Sequence, residues 1–408
     1  MSKIEKVSTF IENSRKEMVE LQRLLCSVPA LAPENGGDGE EEKAAVLKKW
    51  LQKNGFNDIQ EIFIPDERVK SRRRPNLIAT IPGETEGRVI WIMSHLDIVP
   101  PGEFSLWKND PYTVVEENGR IYGRGVEDNQ QGMVASIFAA LSMMKNGIKP
   151  KSTVKLLFVA DEETASDFGI KYLIREHDLF GPDDWFLIPD GGREDGTMLE
   201  VAEKNLLWVK FHTKGEQCHA SMPELGNNAF TAASALVLGL NGLKDRFPQQ
   251  NQIFDPPSST FMPTKKEANV PNINTIPGDD VFYMDMRILP SVGAGTVLQE
   301  IDKICSTIAK TYGVQIDYDV IQRVESESTA EDALLVKAMQ KVVKDVYGVN
   351  ARPVGIGGGT VGAFLRNEGM DTVVWAKLDE SAHMPNEYCI LDNLVGDAKV
   401  MAHLVLEY

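Results

Sequence analysis

Two histidines and several carboxylates stand where hydrophobic runs end. His95 and Asp97 close RVIWIMSHLDIVP (residues 88–100), Asp161-Glu162-Glu163 follow VKLLFVA, Asp190 follows WFLIP, and His383 follows TVVWAKLD. In an open α/β sheet, ligand groups gather beyond the carboxyl ends of the strands, which is where these side chains fall. Imidazole and carboxylate are donors that divalent zinc accepts, and a co-catalytic metal pair generally needs one carboxylate between the two ions. The chain offers His95, Asp128, Glu163, Asp190 and His383 for that purpose. Asp97 can orient His95 from behind, as metal-bound imidazoles require. Glu162, beside one candidate ligand and not needed as another, is a candidate general base. So many acids in one place repel one another unless cations neutralise them.

The elements that must deliver these groups are legible in outline. Val89–Met93 reads as a strand buried on both faces, and the three later runs repeat the pattern. Met18, Leu21, Leu24 and Leu25 recur at helical spacing before Pro29, and Val46, Leu47, Trp50 and Leu51 do so before the left-handed stop Asn54-Gly55. Asn76–Ile81 reads as a strand, and SRRRP (71–75) as a solvated basic loop. From Met133 the residues Val134, Ile137, Phe138, Leu141 and Met144 share a helix face, and Asn146-Gly147 ends it. Asp128 then lies at or just before the helix start. An acid there is an ordinary cap, and its place next after the His95 loop is what favours a metal.

Composition bounds the rest. A chain of 408 residues exceeds what one hydrophobic core usually serves, so two domains are expected. A formal net charge of -17 argues against nucleic acid or an anionic membrane as a partner. No apolar stretch is long enough to span a bilayer, and MSKIEKVSTF lacks the apolar core of a signal peptide. Cys26, Cys218, Cys305 and Cys389 have no paired spacing, so reduced thiols in a cytoplasmic protein are expected.

Taken together, SHLDIVP, GRGVEDNQQG, ADEETAS, IPDGG, GEQCHASMPELGNNA, NINTIPGDDVFYMDMR and AHMPNEY, in that order, resemble the di-zinc hydrolases of metallopeptidase family 20, clan MH. That family includes glutamate carboxypeptidases, aminoacylases, acetylornithine deacetylases and succinyl-diaminopimelate desuccinylases. The resemblance implies an α/β protein: a di-zinc exopeptidase-like catalytic domain with a mixed, largely parallel sheet and helices on both faces, interrupted by a ferredoxin-like α+β domain. The catalytic domain would take residues 1–208 and 324–408, and the insertion 209–323. Within the insertion, LLWVKFHT, the Asn228–Leu243 helix, a short strand near Gln252, DVFYMDMRI, the Ala294–Thr311 helix and VQIDYDVI read as β-α-β-β-α-β.

By the same resemblance, His95 and Asp190 hold one metal, Glu163 and His383 the other, and Asp128 bridges them. Glu162 is then the acid/base and Asp97 orients His95. His219 matches a histidine that family dimers send into the neighbouring active site, and the inserted domain is the usual dimer surface. Asn274 and Arg287 match substrate contacts, and Gly358, Gly359 and Thr360 belong to a backbone-rich rim. Two divalent ions are implied, zinc by default, with cobalt or manganese able to occupy similar sites. The implied reaction is hydrolysis of an amide in a small carboxylate-bearing substrate: a dipeptide, a C-terminal residue or an N-acyl amino acid. Deacylation of an N-succinyl or N-acetyl amino acid is the alternative within the family. Gln130 and Gln131 stand where many members have Lys-Gly, and GIGGGTVGAF lacks the acid that often follows the threonine; both departures bear on the substrate. Two rivals are weaker. Gly357, Gly359 and Gly362 fit a dinucleotide-binding fingerprint, but too little chain follows to complete that fold and the ligand set upstream would go unused; a non-catalytic binding protein would be favoured by loss of Glu162 or a ligand, and none is lost.

Overall fold

From Ile90 to His95 every residue is buried, so the strand Val89–His95 has cover on both faces. The computed structural model describes residues 1–408 and sets this strand inside an eight-stranded sheet. The order is Ile59–Pro65, Arg73–Ile81, Thr153–Val159, Val89–His95, Trp185–Gly192, Asp371–Ala376, Met198–Glu203, Arg352–Ile356. The four strands from Thr153–Val159 to Asp371–Ala376 run parallel to one another. Their flanking partners Arg73–Ile81 and Met198–Glu203 pair antiparallel, which makes the sheet mixed. These four parallel strands are the hydrophobic runs whose ends carry the chemistry. A shared direction brings all those ends to one edge.

The helix Gln130–Lys145 starts three residues before the expected Met133 and is buried almost all round. The hydrophobic stripe marked only one face; the others are lined by Ala135, Ser136, Ala139, Ala140 and Ser142, small enough for neighbours to approach closely. Gly132 shows how tight the approach is, because a Cβ there would lie 2.4 Å from the Pro189 carbonyl oxygen. That contact draws the helix start against the strand end bearing Asp190.

The basic run at 71–75 is not a solvated loop. Arg74 opens into the strand Arg73–Ile81 with no exposure, forks onto Glu40 with one bond of 2.6 Å, and lies 3.4 Å from Asp66 and 3.6 Å from Asp161. Opposite charges distant in sequence hold it inside, which no local pattern reveals. Removing one partner of a buried charge cluster typically costs about 3–5 kcal/mol, because the others are left uncompensated. Arg74→Met is therefore expected to lower stability by about that amount in urea unfolding. A midpoint equal to that of the unsubstituted chain would contradict this account of the cluster.

The chain divides into two compact units, residues 1–201, 329–354 and 364–408, and residues 202–328 with 355–363. The second unit is thus wider than 209–323. Its first strand begins at Asn205, and residues 355–363 join it through a Phe254–Gly355 bridge and a Gly355 N–H to Ile253 carbonyl bond of 2.8 Å. Its sheet runs Thr260–Lys266, Asp279–Ile288, Asn205–Lys214, Gln315–Val324, all antiparallel. Helices Ala229–Asn241 and Ala294–Tyr312 supply Leu236, Leu240, Val297 and Ile301 to a core with Val209, Phe211, Phe282 and Met284. The β-α-β-β-α-β order is present, but its second strand is Thr260–Lys266 rather than near Gln252. Around Gln252 only the isolated bridges Gln250–Ser258 and Phe254–Gly355 form and no ladder, since Pro256 and Pro257 lack the N–H groups a ladder needs.

No helix is long and apolar enough to cross a membrane. All four cysteines are free thiols, and Cys26, Cys305 and Cys389 are buried.

Candidate metal centre

His95 is the last residue of its strand, and its backbone N–H donates to the Asn129 side chain at 3.3 Å. Asp128 directly precedes the Asn129 cap of the Gln130–Lys145 helix. Glu162 and Glu163 follow the strand Thr153–Val159, after Asp161 has turned the chain with φ of 65°. Asp190 lies within Trp185–Gly192, and His383, with φ of 63°, lies in the loop after Asp371–Ala376.

These residues meet. His95 Nε2 is 2.9 Å from Asp128 Oδ1 and 3.7 Å from Asp190 Oδ2. His383 Nε2 is 3.0 Å from Asp128 Oδ2 and 3.1 Å from Glu163 Oε2. Each oxygen of Asp128 therefore faces a different imidazole. Two sets of possible ligand atoms, His95/Glu162/Asp190 and His95/Asp128/Glu163, each lie within 4.8 Å of one another. Asp97 works in two ways: its carbonyl oxygen is 2.9 Å from His95 Nδ1, and its carboxylate accepts from the backbone N–H groups of Glu162 at 3.1 Å and Glu163 at 3.0 Å. Its side chain thus positions the two glutamates and also lies 3.5 Å from His95 Nδ1, while its backbone carbonyl is the nearer acceptor for the histidine.

The electrostatics are those of a site short of positive charge. Burial pushes the Asp190 carboxyl up to about 7, with Asp128 and Glu163 adding repulsion against the pull of His95. Burial, Asp190, Glu163 and Asp97 likewise hold Glu162 well above the usual carboxylate range. His383 is raised to about 10 by its bonds to Asp128 and Glu163. The donor set suits a divalent cation, and Glu163 Oε1 is buried with no hydrogen-bond partner, as an oxygen aimed at an ion would be.

Asn129 is a component that sequence reasoning missed. Its amide donates to Asp190 Oδ1 at 2.6 Å and to the Pro189 carbonyl at 2.9 Å, so it ties the helix start to the Asp190 strand. Its place directly after Asp128 was the only available signal. Gln131 is part of a buried support: it donates to Asp397 Oδ2 at 2.8 Å and to the Lys377 carbonyl at 3.0 Å. Burial raises Asp397 to about 7 against the hydrogen bonds it accepts from Gln131, Tyr347 and the Lys377 N–H, whereas an unfolded aspartate sits at about 3.9. The folded state then holds the proton more tightly, so the stability this group contributes declines as pH rises from about 4 to 7. Asp397→Asn abolishes that decline. The Tm of the variant minus that of the unsubstituted chain is expected to grow across this window, and a gap that does not change with pH would contradict it.

The other candidates lie in the second unit. His219 and Asn274 are neighbours on a short ribbon, where His219 pairs with Thr275 and the Ala220 N–H donates to the Asn274 carbonyl at 2.9 Å. Arg287 donates from Nε and Nη2 to Asp285 at 2.9 and 3.1 Å, and from Nη1 to the Gly357 carbonyl at 2.7 Å. Thr360 donates to Glu203 at 2.6 Å, beside Gly358 and Gly359. Among the remaining histidines, His403 is buried and lies 3.0 Å from Ser8 Oγ, His212 pairs with Asp279, and His177 packs beside Tyr172.

An uncharacterised metallohydrolase of Methanocaldococcus jannaschii is 38% identical over 407 residues, spanning 96% of this chain and 99% of that one. A succinyl-diaminopimelate desuccinylase of Coxiella burnetii is 25% identical over 310 residues, 73% of this chain and 78% of its own. The crystal structure of aminopeptidase PepT from Bacillus cereus superimposes with a TM-score of 0.78 at 20% identity, covering 96% of this chain and 98% of that one, a likeness of fold. The model of peptidase family M20/M25/M40 matches residues 91–407, the stretch that runs from the His95 strand through the last helix, and the chain belongs to that family of metal-dependent hydrolases.

Proposed function

We propose that this protein is a two-metal amide hydrolase in which His95 and Asp190 hold one ion, Glu163 and His383 the other, and Asp128 both. The observation that carries the reading is the Asp128 carboxylate, whose two oxygens lie 2.9 and 3.0 Å from separate imidazoles. Zinc is the ion its imidazole and carboxylate donors favour, with cobalt or manganese as substitutes. Two such ions supply Lewis acidity at a carbonyl and acidify a nearby water. Glu162 takes the proton of the attacking water and delivers it to the departing amine. Asp97 holds the backbone of Glu162 still during both transfers.

The substrate is a small molecule or short peptide with an amide bond and a carboxylate. Arg287 is the group for that carboxylate, as a planar fork suits bidentate binding, although Asp285 competes for the same fork. Asn274, Gly358, Gly359 and Thr360 are further substrate contacts. His219 stabilises the oxyanion, contributed by the second subunit of a homodimer formed through the second unit. In that unit the strand Thr260–Lys266 forms one edge of the sheet, beside the exposed Phe230 and Leu238. Peptide hydrolysis is the first reading, and deacylation of an N-succinyl or N-acetyl amino acid is the second, favoured by the desuccinylase relative.

Turnover of a panel of dipeptides, tripeptides and N-acyl amino acids by purified, metal-quantified protein tests this. Hydrolysis of at least one class, lost on chelation and restored by zinc, is expected. A metal-replete protein that cleaves none of them would contradict it.

A further inference from the structure

Glu127 in GRGVEDNQQG and Glu387 in AHMPNEY take no part in the chemistry proposed above, yet both are buried, at 3% and 0% exposure. Each side chain enters the other's loop. The Glu387 carboxylate accepts from the backbone N–H groups of Gly125 at 3.0 Å, Glu127 at 2.9 Å and Asp128 at 3.1 Å, and from the Arg124 guanidinium at 2.6 Å. In return the Glu127 carboxylate accepts from the backbone N–H of Asp379 at 2.9 Å, from that of Ser381, and from the Ser381 hydroxyl at 2.7 Å. A backbone bond from Gly123 N–H to the Glu387 carbonyl at 3.1 Å, and one from the Arg124 guanidinium to the Met384 carbonyl at 3.3 Å, join the same two segments. One segment ends in Asp128; the other carries His383.

Burying two carboxylates is costly unless each is well supplied with donors. Here the donors are mostly main-chain amides, so what the pair fixes is the path of two loops. We propose that Glu127 and Glu387 form a reciprocal clasp that sets the spacing of Asp128 and His383, and so couples the filling of the two metal positions. The inference rests on the reading of Asp128 as the shared ligand. His383 Nε2 lies 3.0 Å from Asp128 Oδ2, and both metal positions would depend on that register, since His383 would hold one ion and Asp128 both. Loosening either glutamate loosens both positions. Both glutamates are positioning residues, since neither touches an ion or substrate.

The test uses Glu127→Gln, Glu387→Gln and the double variant of the full chain. Glutamine keeps one acceptor but turns an NH2 group against a backbone N–H donor. Each protein is stripped of metal, its thermal unfolding recorded, and zinc titrated back against a chromophoric competitor. Groups that orient metal ligands typically change metal affinity by about 10- to 100-fold. Each single variant is expected to lose affinity by about that factor at both positions, and the metal-free Tm to fall as well, most for Glu387→Gln, which leaves the buried Arg124 without its carboxylate. The double variant is expected to be no weaker than the weaker single, because one contact is lost either way, and excess zinc is expected to restore kcat. Affinity equal to the unsubstituted chain, loss at one position only, or losses that multiply in the double variant would overturn the clasp. Should Glu387→Gln fail to fold, Glu127→Gln and Ser381→Ala carry the test, the second removing only the hydroxyl bond and weakening both positions less. An unsubstituted chain that binds no pair of zinc ions would instead overturn the metal reading itself.

Discussion

Glu162→Gln is expected to bind two zinc ions and to lose about 10²- to 10⁴-fold in kcat, the range a positioned proton-transfer group supplies. The substitution preserves size and removes only the capacity to take and return a proton. Glu162 sits within 4.8 Å of His95 and Asp190, and its backbone is pinned by Asp97 at 3.1 Å, so the amide should occupy the same place. Metal analysis alongside steady-state kinetics separates the outcomes. Lost activity with two ions retained fits a proton-transfer role; lost activity with lost ions makes Glu162 a ligand; retained activity with both ions present gives it no role.

Asp128→Asn is expected to be at least as severe for a different reason. Only one oxygen survives, and the amide NH2 donates where an ion needs a lone pair. Asp128 is the acid whose two oxygens face the two imidazoles, at 2.9 and 3.0 Å. Zinc content should fall from two to one or fewer, and turnover by about three orders of magnitude, equivalent to several kcal/mol of lost electrostatic stabilisation. A variant with two ions and near-normal rates would remove Asp128 from the bridging position.

What the sequence made legible was whatever repeats over a short span. The four parallel strands were readable because continuous burial leaves uninterrupted apolar runs, and their polar terminal residues stood out for the same reason. The start of the Gln130–Lys145 helix was not, because Gln130, Gln131 and Gly132 are buried by close packing that no hydrophobic stripe records. Arg74 was misread as solvated since its three acidic neighbours lie 8, 34 and 87 residues away in sequence. The strand near Gln252 failed on local chemistry that was visible, the two prolines that follow.

At the centre itself, the ionisable residues announced themselves by type, while the groups that hold them did not. Asn129, Glu127 and Glu387 act largely through backbone amides and carbonyls, with Asp190 and Arg124 as side-chain partners distant in sequence, and any sequence with a polar residue there looks much the same. Only the folded chain brings those supports together.

Anomalous diffraction at the zinc edge, from crystals grown with excess zinc, tests the central claim most directly. Two peaks are expected, one beside His95 and Asp190, the other beside Glu163 and His383, with Asp128 between them. A single peak remote from Asp128, or none, would contradict the account.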